Sequence, residues 1–447
     1  MSDIGFTLHG PGSLPYVRAL DVFNGAVHAE PEAVVLPADE TELACALVGA
    51  NRRGISVSLR SGGHGVAGRA VQGDWVLDLR RFTGCRFDGS LVVAGAGVTW
   101  KQLDEFCAPR GVAVPGGTVS STGIAGLTLG GGVGWLLPQA GLTCDRLVAV
   151  RGVTGDGRTI QVDDTSEPDT MAFLRGFGHG LFAITEFEYE PLPVPEHVSA
   201  GSLTYRLLDG PEVIEALVDA AAECPEEVSW SPALVSSRDS QVLSIDGMSF
   251  GSVDFAVWMQ KVCKVRPIRS SVRLRTYPEA QRMLDNQERW GQRSAWRSVF
   301  TTSLAPEAVG FLVQSFRAAP SSGCQIFIER MGGMVKSPPR PSAFPLRWAD
   351  YDVLITASWD HRTDDDVHHD WLAGTKADLC ELLHQSPDAG TYANYADRAE
   401  SVAVLGEYSM ADLIRVRSRC DPDGRFAPCH PRVDGARRAR SSRPTDI

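Results

Sequence analysis

The stretch VSLRSGGHGVAGRAVQGDWVLDLRRF, Val57 to Phe82, decides the fold of this chain. Inside it, Gly63-His64-Gly65-Val66-Ala67-Gly68 satisfies GxGxxG, the spacing of a dinucleotide-binding turn. Such a turn needs a strand before it and a helix after it, with the third glycine packing that helix onto the sheet. The strand is present, because Ile55 to Leu59 alternates apolar and small polar residues. The helix is not. Gly73 interrupts the chain soon after Gly68, and Trp75 to Leu79 reads as a second strand. What remains is a glycine loop between two strands, with Arg60 at its start and His64 at its centre.

Working outward, PADETELACALVGANRRG (Pro37 to Gly54) has an acidic start, spaced apolar residues and a closing glycine, which predicts a helix. SLVVAGAGVTWKQLDEFCAPRG repeats the logic, with a strand, a glycine turn and a helix that Thr99 opens and Gly111 ends. Val114 to Gly141 is dense in glycine, almost free of charge, and interleaved with Val, Ile, Leu and Trp. A solvated linker would be rich in Ser and Lys, so this stretch is expected to be buried. Buried glycines bring backbone N–H groups close to something large and polar, such as a pyrophosphate, or else pack strands tightly. Leu142 to Asp163 reads as a hairpin turning at Gly155-Asp156-Gly157, and a glycine turn then leads into a strand that ends at Pro191.

At 447 residues the chain exceeds one compact core and predicts two domains. The formal charge of -12 argues against a nucleic-acid partner. The basic RRARSSRP near the C-terminus has no apolar periodicity and reads as a disordered tail, from about residue 433. Ten cysteines without a CxxC pair fit a reducing compartment. Neither a signal peptide nor a membrane-spanning run is visible, so the expected location is cytoplasmic. The Pro-rich PLPVPEH marks a boundary, beyond which CQIFIERMGG and YDVLITASW read as antiparallel strands and TKADLCELLHQ as a covering helix. DHRTDDDVHHDW (Asp360 to Trp371) gathers histidines and aspartates, but its acids are consecutive rather than facing, so it reads as a solvated loop and helix start, with no metal.

Taken together, LRSGGHGVAG, GGTVSSTGIAGLTLGGGVGWLLPQAGLTCDRL, LRGFGHGLFAITEF, and the terminal YANYAD and DPDGRF resemble the berberine-bridge-enzyme-like FAD-linked oxidases of the vanillyl-alcohol-oxidase/PCMH family. The resemblance implies an α+β fold. A PCMH-type FAD-binding domain of two α/β subdomains would be joined to a substrate domain with an antiparallel sheet covered by helices. The expected boundaries are 1–195 for the FAD domain, 196–390 for the substrate domain, and 391–447 returning to the FAD domain.

The resemblance also implies that His64 bonds covalently to the 8α-methyl of FAD, and a neutral imidazole is a suitable nucleophile near pH 7. The bland alternative is a hydrogen-bonded loop histidine. The cysteine that makes a second flavin bond in many members would fall near Thr118-Val119, where this chain has none, so a single attachment is expected. FAD contacts carried over by the resemblance are Arg60, Ser61, Gly62, Gly63, Gly65 and Gly68 in the first segment. In the second they are Gly117, Thr118, Thr122, Gly123, Gly126, Gly130, Gly132, Gly134 and Asp145, with Ile184 and Asn394 later. Two departures stand out. Where the family shows R-G-G-G-G-N-F-G-V-V-T, Arg175 to Thr185 carries bulkier residues, and Cys429-His430 replaces a polar amide pair.

Oxidation of an alcohol by a flavin needs a base for the hydroxyl proton. Tyr395 is the candidate by resemblance, and it needs a lowered pKa for that work, which arginine neighbours could supply; the alternative is a packed core residue. Glu329 is the runner-up, against the commoner outcome of a solvated strand-edge glutamate. The implied partners are a small-molecule substrate, a natural-product intermediate or a sugar, and O2. The alternative is a redox-silent member that uses the pocket for cyclisation or binding.

Overall fold

A computed structural model describes residues 5–237, 240–287, 289–386, 390–396 and 408–427. The basic tail and Cys429-His430 lie outside the described residues.

The helix expected after Pro37 runs from Glu40 to Arg53; Asp39 caps its first turn, and Gly54 closes it at φ 68°, where a side chain would be strained. It packs on a three-stranded parallel sheet of Ala33–Val35, Trp75–Asp78 and Val57–Arg60, with Trp75–Asp78 in the middle. All four residues of that central strand are buried, as the unbroken apolar run requires when both sheet faces are covered. Between the two outer turns of the glycine loop there is only a short 3₁₀ turn, Arg69–Val71, so no crossover helix follows GxGxxG.

The second sheet has five antiparallel strands in the order Cys85–Asp88, Leu91–Gly95, Ala183–Tyr189, Leu147–Val153 and Thr159–Asp163. The Trp100–Cys107 helix starts with a capping box between Thr99 and Gln102 and continues through a 3₁₀ turn to Gly111. One hydrophobic cluster joins both sheets, the Phe173–Leu174 helix end, and Leu413, Val416 and Phe426 from the C-terminal stretch. Phe426 bridges to Val57 beside the strand that feeds the glycine loop.

The remaining strands form an antiparallel sheet in the order Arg269–Ser270, His197–Arg206, Ser240–Ser249, Val228–Ser237, Cys324–Arg330, Tyr351–Trp359 and Arg293–Thr301, with Arg273–Thr276 also beside His197–Arg206. Strand alternation divides it cleanly. Leu203, Leu234, Ile245, Ile326, Val353 and Val299 face the helices Gly210–Asp219, Pro306–Arg317 and Asp365–Leu382. The opposite face carries Ser231, Asp246, Gln325, Glu329 and Thr356, turned towards a cavity.

One expectation needs correcting here. The segment from Asp360 to Trp371 is not simply solvated: Asp365 pairs with Arg293 at 2.6 Å and accepts from Trp359 Nε1 at 2.7 Å, while buried His368 stacks on Trp359. Aromatic stacking and a paired carboxylate bring the helix start down onto the sheet. Among the described residues no cluster of His, Cys, Asp and Glu could hold a metal, and no helix is long and apolar enough to cross a membrane.

Candidate active site

Arg60 organises the glycine loop from beneath. Its guanidinium donates to the carbonyls of Ala19, Ser61 and Asp21 at 2.8–2.9 Å and lies 3.9 Å from the Asp78 carboxylate. Burial pulls its pKa down to about 10, which still leaves it charged at neutral pH. Gly63 takes φ 78° above it. Gly62 and Gly123 then meet backbone to backbone. A Cβ on Gly62 would stand 2.4 Å from the Gly123 nitrogen, and one on Gly123 would stand 2.5 Å from that of Gly62. Only two glycines permit this approach, which fixes the first loop against the second.

That contact delivers His64 to the second segment. Its Nε2 is 3.1 Å from Ser121 Oγ and its Nδ1 is 3.4 Å from Thr122 Oγ1, while Phe23 stacks on the ring and Trp290 meets it edge-on. Burial lowers the imidazole pKa to about 4, so the ring is neutral at pH 7 and one nitrogen keeps its lone pair.

The loops wall a cavity of about 400 Å³ whose far side is the polar face of the large sheet. Arg60, Ser61, Gly62, Gly63, His64, Gly65, Gly117, Thr118, Thr122, Gly123, Gly126, Gly134, Ile184, Glu329, Asn394 and Tyr395 all line it. Gly68, Gly130, Gly132 and Asp145 stand behind these walls. A Cβ on Gly68 would meet Val27, one on Gly130 the amide of Asn394, and one on Gly132 the side chain of Thr143. Asp145 is fully buried, bonding Arg347 at 2.6 Å and the Leu142 N–H at 2.9 Å.

The departure at Arg175–Thr185 resolves without filling the cavity. Arg175 is buried against Asp164 and the Leu147 carbonyl, and Phe177 and Leu181 enter the core. His179, Gly180, Phe182 and Ile184 reach the cavity. His179 Nε2 is 2.8 Å from the Gly126 carbonyl, and burial lowers its pKa to about 4; it is neutral, with that nitrogen donating. His179, Asp246, Gln325 and Thr356 were not among the candidates. Period-two alternation along the strands would have flagged the last three, whereas nothing local marks His179.

Tyr395 and Glu329, proposed as rivals, are bonded to each other: Tyr395 Oη donates to Glu329 Oε1 at 3.0 Å. Tyr392 and Trp296 meet the Tyr395 ring edge-on, and Asn394 Nδ2 donates to Tyr392 Oη and to the Leu127 carbonyl. Burial raises the Glu329 carboxyl to about 7, against the opposing hydrogen bond from Tyr395, and its Oε2 is buried with no partner among the described residues. Glu329 is thus not solvated. Burial, then the neighbouring Glu329 and Tyr392, hold the Tyr395 phenol well above 10. The lowered pKa that the sequence reading required of a tyrosine base is not found: burial and the carboxylate of Glu329 beside the phenol raise it instead.

The walls suit FAD. Gly65 and Gly126 line the cavity with open space where a Cβ would project, so backbone is bared to an occupant, and neutral His64 stands at the loop edge. Residues 31–163 match the FAD binding domain family. The chain is 27% identical to (R)-6-hydroxynicotine oxidase of Paenarthrobacter nicotinovorans over 396 residues, 83% of this chain and 84% of that one. Among solved structures, BBE-like 1 of Physcomitrella patens superposes with a TM-score of 0.84 at 19% identity, covering 96% and 97% of the two chains. Glucooligosaccharide oxidase of Acremonium strictum, described as carrying 6-S-cysteinyl, 8α-N1-histidyl FAD, does so with a TM-score of 0.84 at 20% identity, covering 95% and 96%. The chain thus carries an FAD binding domain over residues 31–163, shares the fold of these flavoprotein oxidases along nearly its whole length, and is an FAD-linked oxidoreductase.

Proposed function

We propose that this protein is an oxidase that removes a hydride and a hydroxyl proton from a small-molecule alcohol, a natural-product intermediate or a sugar, with O2 as electron acceptor. The observation that carries this reading is the buried Tyr395–Glu329 hydrogen bond at the cavity wall. Bound FAD supplies the two-electron acceptor. A tyrosine is a weak base by itself, but here its own proton has a destination. Tyr395 accepts the substrate hydroxyl proton as it passes its phenolic proton to Glu329, whose raised pKa lets it hold that proton near neutrality. Arg60, Ser61, Gly62, Gly63, Gly65, Gly117, Thr118, Thr122, Gly123, Gly126, Gly134, Ile184 and Asn394 line the cofactor portion of the cavity, and Asp246, Gln325 and Thr356 the substrate wall.

His64 is the point of covalent attachment, and it is the single one, since Thr118 and Val119 hold no thiol. Its neutral ring supports that role, as does the histidyl flavin of the glucooligosaccharide oxidase. The same reading assigns 1–195 and 391–447 to the FAD domain and 196–390 to the substrate domain. A redox-silent role loses its motive, because Phe177 and Leu181 pack into the core instead of blocking the pocket. In the test, the purified protein is acid-precipitated and the pellet examined for flavin. Flavin should stay in the wild-type pellet and leave it in His64→Ala; free flavin from the wild type overturns the attachment. Bleaching under anaerobic alcohol or sugar, with hydrogen peroxide formed in air, tests the oxidase; a colourless protein rules it out.

A further inference from the structure

We propose that Asp285, which lies in the stretch between two strands of the large sheet, is a positioning residue for attachment of the flavin to His64. This rests on the reading of His64 as the attachment site.

The loop that touches His64 is tied at its backbone to the Trp100 helix start: the Trp100 N–H donates to the Thr122 carbonyl at 3.0 Å and the Lys101 N–H to the Ser120 carbonyl at 2.9 Å. Ser121 and Thr122 belong to a loop without side-chain capping of its own, bounded by Gly117 and Gly123. The neighbour of that pair, Ser120, is buried, and it is gripped by Asp285. Its N–H donates to Asp285 Oδ1 at 2.9 Å and its hydroxyl to Asp285 Oδ2 at 2.7 Å. Both carboxylate oxygens therefore accept from Ser120, a two-point hold that fixes rotation as well as position. Arg282 Nε also donates to Asp285 Oδ2, at 3.3 Å.

Two other residues of the same stretch reach the same place. Gln281 Nε2 donates to the Gly117 carbonyl at 3.3 Å, at the start of the loop. Trp290 sets its ring edge against the imidazole at 5.0 Å and ties its Nε1 to Asp21 at 2.7 Å. Gln281, Asp285 and Trp290 thus each contact the His64 ring or the loop beside it, and Asp285 supplies the charged contact. Reactivity depends steeply on such placement, since displacement of a reacting group by about 1 Å costs on the order of 10²-fold.

The bond-forming step balances as follows. The imidazole loses its N–H proton and joins its nitrogen to the carbon of the ring methyl, which loses one hydrogen as a proton. The electron pair left on the flavin passes with those two protons to dioxygen, giving hydrogen peroxide and an oxidised, tethered cofactor.

The experiment uses full-length protein purified soon after induction and incubated in air, with acid precipitation at intervals to divide covalent from total flavin. Asp285→Ala should bind total flavin as the wild type does but convert it to the covalent form about 10-fold more slowly or worse. Asp285→Asn, which keeps an acceptor for the Ser120 N–H, should fall between, and Arg282→Ala should match the wild type. A merely structural role would lower total flavin and Tm together and leave the covalent-to-total course unchanged, which overturns the proposal. If Asp285→Ala does not fold, a wild-type conversion rate in Asp285→Asn overturns it. A wild type that carries only releasable flavin fails differently: it removes the His64 reading itself, and this inference with it.

Discussion

Glu329 shows how one buried atom can set the pH behaviour of a site. Its carboxyl is raised to about 7 because water is excluded, and Tyr395 partly offsets the rise by donating a hydrogen bond. The base must be ionised to accept a proton, so the rate of flavin reduction should climb with pH through about 7 and level off above. Glu329→Gln should remove that limb and slow reduction by about 10²–10⁴-fold, while reoxidation by O2 is little changed, as stopped-flow would record. Tyr395→Phe should slow reduction by a similar order and move the remaining limb to higher pH, since the bond that favours the carboxylate is gone. A limb that stays put in Tyr395→Phe would separate the two residues. Stability follows the same sign: Glu329 binds its proton more tightly folded than unfolded, so its contribution is full below about 4.5 and is lost as pH rises through about 7. Denaturant unfolding of Glu329→Gln at several pH values should show a flatter dependence than the wild type.

At the scale of elements, the glycines divide into those that hold loops together and those that leave room. Gly126 lies within the Ile124–Gly130 helix with open cavity where a Cβ would project. Gly126→Ala should therefore stabilise the cofactor-free fold by roughly 0.5–1 kcal/mol, through helix propensity, while weakening FAD binding. Opposite changes in the Tm of apoprotein and in flavin affinity are the expected readout; equal affinity would mean that the cofactor does not pass over this helix. Gly62→Ala meets backbone at 2.4 Å and has no such compromise. It should destabilise by about 1–3 kcal/mol and disturb His64 at the same time, seen as a fall in Tm with flavin content.

On the scale of the whole molecule, Asn24 joins what the chain order keeps far apart. Its Nδ2 donates to the Val66 carbonyl in the glycine loop and to the Ser294 carbonyl at the start of a sheet strand, and its Oδ1 accepts from the Ser294 N–H. Asn24→Ala would leave buried backbone groups unpaired, at a cost of about 1–3 kcal/mol, measurable by urea unfolding. No sequence pattern announces such a residue, because its partners lie 42 and 270 positions away. Much else was legible. The failure of GxGxxG to open a helix, the capped helices at Glu40 and Trp100, the hairpin at Gly155–Gly157 and the alternating strands all rest on short-range backbone geometry, which local residues dictate. Most of the cavity lining was legible for the same reason, since glycines concentrate where backbone must approach a ligand. Gly68, Gly130 and Gly132 share that composition but pack against Val27, Asn394 and Thr143, a difference that only the partners reveal. Nor could the chain order show that Tyr395 would find Glu329, or that a stretch around Asp285 would reach Ser120. Periodicity and turn chemistry determined the elements and the loop that carries His64. Which side chains meet, how dry they become and therefore which proton each one holds were decided by tertiary packing, because burial and pairing act across contacts that sequence separation does not encode.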